Sequence, residues 1–115
     1  MKSIMNEKSF AFAVEVVQVA KELTTKRQYE LANQLIRCGT SIGANLAEKE
    51  FAQSDADFSS KLSIALKEAA ETRYWLKLLK ETGDISDEVA TRLISEADEI
   101  IKMIVSSIKT VSKKL

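Results

Sequence analysis

The sequence has no proline and no histidine, one cysteine and three glycines in 115 residues, and its 17 Lys and Arg are matched by 17 Asp and Glu. Each shortage excludes something. A single cysteine cannot build a disulfide framework. Without histidine there is no imidazole base, no Ser-His-Asp triad and none of the usual nitrogen-ligated zinc or di-iron centres. A net charge of zero offers no general positive field to phosphates, so any nucleic-acid surface has to be local. The longest uncharged run, Cys38 to Ala47, is far short of the roughly 20 residues that span a bilayer. The first eight residues, Met1 to Lys8, mix acid and base before any apolar run, which is unlike a secretory leader. The expectation is a soluble cytoplasmic protein with a reduced Cys38, no membrane partner, no cofactor, no metal, no small-molecule substrate and no enzymatic activity.

What is present is helical. At 12.8 kDa the chain suits one domain over residues 1–115, large enough to bury about two-thirds of its unfolded surface. With so little Gly and no Pro, breaks must be read from caps. Thr25-Lys26-Arg27-Gln28 has the form of a capping box and predicts a helix start. Ser54-Asp55-Ala56-Asp57 offers a hydroxyl cap with first-turn acids. Gly83 suits a left-handed C-cap, and Ser86-Asp87-Glu88 supplies the next start.

Heptad spacing agrees. Phe58, Leu62, Ala65, Ala69, Thr72, Leu76 and Leu79 alternate four and three apart, as do Ala90, Ile94, Ala97, Ile101, Ile104, Ile108, Val111 and Leu115. The second segment gives Ala32, Leu35, Gly39, Ile42 and Leu46. The first gives Phe12, Val16, Val19 and Leu23, widened by Phe10, Ala13, Val14, Val17 and Ala20. Helices are predicted near 6–24, 27–52, 55–82 and 86–114, joined by short loops into an all-α, antiparallel up-down four-helix bundle.

Some residues stand out from this pattern. Gly39 and Gly43 lie inside a helix at a cost of about 1 kcal/mol each relative to Ala, which suggests that a second helix approaches closely. A phosphate loop would need more glycines and a Lys-Ser/Thr pair after a strand. Asn45 is expected to bond across the bundle and fix its register. Ile64, Glu68, Glu71, Trp75 and Leu78 form a second stripe about 100° round the third helix. They are read as an oligomer interface, either with a second copy or with a different protein, or else as a widened core face with Trp75 along the bundle edge. Glu68 and Glu71 resemble a di-iron carboxylate pair, but the Glu-x-x-His partners are missing, and Arg37 is the better expected counterpart. Cys38 is expected to fill a tight helix contact. Lys102, Lys109, Lys113 and Lys114 occupy a helix half that holds no acid. They either complement the helix dipole or, multiplied in a ring, make a phosphate-binding rim.

The stretches Lys8 to Ala13, Gln34 to Arg37, Gly39 to Asn45, Ala52-Gln53-Ser54 with Asp57-Phe58, and Lys61 to Glu68 followed by Glu71 and Tyr74-Trp75-Leu76 resemble the hallmark segments of the bacterial 23S rRNA intervening-sequence protein family. The resemblance implies a small cytoplasmic bundle that self-associates into a ring, commonly a pentamer, with no enzymatic activity. It also implies a kinship with retroelement accessory proteins that bind nucleic acid and a reverse transcriptase. Those accessory proteins are strongly basic, whereas this chain is balanced. The leading expectation is a homo-oligomeric scaffold; the alternative is a nucleic-acid or ribonucleoprotein accessory module.

Overall fold

The computed structural model describes residues 3–113. Four α-helices, α1 (Ile4–Thr25), α2 (Tyr29–Glu48), α3 (Asp55–Glu81) and α4 (Asp87–Ser112), are joined by tight connections. A short 3₁₀ turn over Lys49–Phe51 follows α2. The particle measures 46 × 23 × 20 Å, as helices of about 40 Å packed side by side require. No described helix is long and apolar enough to cross a membrane.

Cross-helix pairs give the direction of each helix. Arg37 meets Glu68 and Glu71 while Glu48 meets Lys61, so α2 and α3 run antiparallel. Lys8 pairs with Glu99 and Glu15 with Arg92, which makes α1 and α4 antiparallel too. The bundle is up-and-down, as the short connections predict.

Caps explain most of the helix ends. Ser3, Ser54 and Ser86 accept from the backbone N–H groups of Asn6, Asp57 and Val89, each satisfying an orphan donor of a first helical turn. The break at Thr25 to Gln28 differs from the capping box expected there. Thr25 stays helical, its hydroxyl donating to the Lys21 carbonyl. The chain reverses through Arg27 at φ 63°, with the Gln28 N–H bonded to the Leu23 carbonyl and the Arg27 N–H to that of Thr24. This is a Schellman turn, and it satisfies carbonyls that the end of α1 would otherwise leave open. Helix α2 then begins behind Gln28 with no side-chain cap. Gly83 at φ 74° makes the same turn after α3, with the Asp84 N–H on the Leu79 carbonyl. The two turns are bonded to each other: Lys26 Nζ donates to the Asp84 carbonyl at 2.9 Å and Gln28 Nε2 to Asp84 Oδ1 at 3.3 Å.

The core holds most of the expected seams. Phe12, Val16, Leu23, Leu35, Ile42, Leu46, Leu62, Leu76 and Leu79 are fully or almost fully buried, each worth about 1.5–3 kcal/mol of transfer free energy. Two expectations shift. In α4, Leu93 and Ile100 are buried whereas Ile94, Ile101 and Ile108 are only half-buried, because the packed stripe is centred nearer α1 than the strict heptad. In α1, Phe10 and Val14 are 71% and 45% exposed instead of widening the core. At the opposite end from the two turns, α2 stops at Glu48 rather than running on to 52. There the buried Lys49 Nζ donates to Asn6 Oδ1 at 3.0 Å and to the Leu46 carbonyl at 3.2 Å, tying α2 to the start of α1.

Candidate functional site: four faces of the bundle

Because the helices are consecutive neighbours, the surface divides into four faces, and their chemistry differs. On the α1–α2 face, Gly39 lies directly under Val16 and Gly43 beside Ser9. A Cβ on Gly39 would overlap Val16, whereas one on Gly43 would sit at 3.5 Å from Ser9, an ordinary contact. Close packing therefore accounts for Gly39 but not for Gly43. Asn45, expected to bond across the bundle, instead donates its Nδ2 to the Ser41 carbonyl of its own helix at 2.8 Å. An i−4 carbonyl lies within reach of a helical Asn without any chain crossing. Outward from these glycines, helical geometry brings Phe10, Ala13, Val14 and Val17 of α1 beside Ile36, Thr40, Ala44 and Ala47 of α2. None of these residues carries a charge.

The α2–α3 face contains the second stripe. Arg37 Nη1 donates to Glu68 Oε2 at 3.4 Å, and its Nη2 reaches Gln34 Oε1 at 3.2 Å and Glu71 Oε2. Trp75 Nε1 donates to the same Glu71 oxygen at 3.0 Å. The carboxylates and the indole are thus engaged within the chain, and Trp75 packs against the core edge. Leu78 is half-buried, while Ile64 and Tyr74 remain exposed on the outer edge of α3. Arg37 is the counterpart that the sequence pointed to. Cys38 lies behind this cluster, its Sγ–H donating to the Gln34 carbonyl at 3.0 Å. Burial pushes its thiol up, and Glu71 adds to that, against the Thr72 hydrogen bond and Arg37. Such a thiol is a poor nucleophile. Among the described residues no group of three His, Cys, Asp or Glu is placed to hold a metal ion.

On α4, Lys102, Lys109 and Lys113 lie on one outward face, all exposed and in no ion pair among the described residues. Lys114 lies outside the described residues. Arg73 binds Asp98 at 2.7 Å across the α3–α4 face.

The α1–α4 face is the least closely packed of the four, and it is strongly charged. Lys8 pairs with Glu99 at 3.0 Å, and Arg92 Nη1 lies 2.5 Å from Glu15 Oε1 and 3.9 Å from Glu96 Oε1. Between the pairs lies a cavity of about 230 Å³ floored by Phe12 and Ile100. The Oε2 atoms of Glu15 and Glu96 are buried there without a hydrogen-bond partner. Burial, then the Glu15 carboxylate beside it, pushes the Glu96 carboxyl up to about 7. Neither Glu15 nor Glu96 stands out in the sequence by motif or seam. A signal was available, since each Glu is flanked three or four residues away by core residues, Phe12 and Val19 in one case and Leu93 and Ile100 in the other.

Comparison with known proteins matches this architecture. The family model described as 23S rRNA-intervening sequence protein matches residues 1–106. No curated protein matches. A crystal structure of a protein of unknown function from the S23 ribosomal protein family of Bacteroides thetaiotaomicron VPI-5482 superposes with a TM-score of 0.89 at 46% identity, covering 92% of this chain and 99% of that one. Helix number, the hallmark segments and the family match agree, and the chain belongs to the 23S rRNA-intervening sequence protein family.

Proposed function

We propose that the protein is a non-enzymatic helical scaffold of the cytoplasm that works as a closed homo-oligomer, a five-membered ring by its family resemblance. The observation that carries this is the α1–α2 face, where Phe10 is 71% and Val14 45% exposed. Large apolar side chains grouped on an exposed face mark an association surface. A ring needs two different patches, since its contact is heterologous. The outer edge of α3, with Ile64 40% and Tyr74 60% exposed, supplies a second one on another side of the bundle. Within the expected interface stripe, contact falls to Ile64 and Leu78, while Glu68, Glu71 and Trp75 hold the α2–α3 face together. Light scattering at micromolar concentration tests the proposal. The wild type is expected to have a multiple of the chain mass and Phe10→Asp to have a lower one; a monomeric wild type would overturn it.

A second reading, as an RNA-binding accessory module, is supported by the outward row of Lys102, Lys109 and Lys113 and by the ribosomal wording of the related family names. It predicts binding to structured RNA that weakens as salt rises. Absence of binding at low salt would exclude it.

A further inference from the structure

The α1–α4 seam contains an arrangement that the scaffold role does not use. Two carboxyl groups from opposite helices, Glu15 and Glu96, each present a buried oxygen with no donor. Two ionised carboxylates can only accept, so neither can satisfy the other. One proton between them supplies the missing donor and removes one of two like charges. We propose that Glu15 and Glu96 share one proton across the α1–α4 seam and act as a latch, holding the helices together when protonated and releasing them when the proton is lost.

The surrounding charges assign the two roles. Arg92 lies 2.5 Å from Glu15 but 3.9 Å from Glu96, so Glu15 is the charged member and accepts, while Glu96 carries the proton and donates. The other charged groups facing the pair come from the same two helices: Lys8 and Glu22 from α1, Glu88 and Glu99 from α4. Lys8 is engaged by Glu99. Glu99 adds negative charge beside Glu96, which opposes its ionisation and favours the shared proton, while Arg92 acts against it. No residue of α2 or α3 lines the cavity, so the seam answers to this group of charges alone.

Loss of the proton leaves two repelling carboxylates over a cavity at the least packed of the seams. Relief comes from separating α1 from α4, which exposes Phe12 and Ile100. The latch is independent of the scaffold surface, which lies on the α1–α2 face.

Amide hydrogen exchange of the full chain, corrected for intrinsic pH dependence, tests this. Protection at amides around Glu15 and Glu96 is expected to fall about five-fold or more, relative to α2 and α3, between about pH 5.5 and about pH 8.5. Glu96→Gln, which keeps a donor and cannot ionise, is expected to hold its protection constant over the same range. Carbon NMR of the wild-type carboxyls, which needs no variant, is expected to show one of the two titrating well above ordinary glutamates. Protection that does not change with pH, a Glu96→Gln variant that follows the wild type, or two carboxyls that both titrate normally would each overturn the latch.

Discussion

A Cβ added to Gly39 would stand 2.6 Å from Cγ1 of Val16. Val16 is fully buried in α1, and a β-branched side chain in a helix has one favoured rotamer, so it cannot swing aside. Gly39→Ala is therefore expected to destabilise by about 1–3 kcal/mol despite Ala's better helix propensity. Gly43→Ala meets only an ordinary contact with Ser9 and is expected to gain about 1 kcal/mol or less. Urea midpoints of the two variants should move in opposite directions. The double variant Val16→Ala with Gly39→Ala should recover part of the loss.

The two Schellman turns make a second opposed pair. Arg27 holds a left-handed conformation that costs a side-chain-bearing residue about 1–2 kcal/mol. Arg27→Gly is expected to raise stability by up to about 1 kcal/mol, and Gly83→Ala to lower it by about the same amount. Thermal melts would show the two shifts with opposite sign.

Arg37 is about half exposed but serves two carboxylates and a glutamine at once. Arg37→Ala leaves Glu68 and Glu71, three apart on one helix, as uncompensated like charges. The expected cost is about 1 kcal/mol, at the upper end for partly exposed pairs. Trp75 fluorescence should change as well, because the oxygen that its Nε1–H donates to loses its cationic neighbour.

Glu96 sets a pH dependence whose sign can be worked out. Its folded value, about 7, lies above the unfolded value near 4.5. Between the two the folded chain binds more protons than the unfolded one, so stability falls as pH rises through that window. The Glu96 contribution is full below the unfolded value and gone above the folded one. Urea midpoints of wild type minus Glu96→Gln, compared at about pH 5 and about pH 8, should show the wild type losing ground at the higher pH. Parallel midpoints would show that the displaced titration carries no stability.

The bundle was legible in the sequence because period and caps agree. Ser54 and Ser86 cap where they were expected, and the seam of α2 and that of α3 from Leu62 to Leu79 are buried as spaced, Phe58 being only half-buried. The Thr25 box misled because a threonine hydroxyl can equally bond back to the carbonyl four residues earlier in the last turn of a helix, as Thr25 does to Lys21, and the left-handed φ of Arg27 ends α1 there. The Arg37 cluster could be foreseen from residue type and neighbourhood. Phe10 and Val14 were assigned to the core because hydropathy does not record which side of a widened stripe the neighbouring helix covers. The Glu15 and Glu96 pair belongs to the contact between the first and last helices, and periodicity within one helix carries no information about its distant partner.

That contact also bears on the order of folding. Three of the four seams join helices adjacent in sequence, and two are closed by tight turns bonded to each other. The α1–α4 seam alone spans the whole chain, so its closure carries the largest loop entropy, and it has the least close packing to offset it. It should be the last seam to form and the first to part, and substitutions at Glu15 or Glu96 should alter the rate of unfolding far more than the rate of folding.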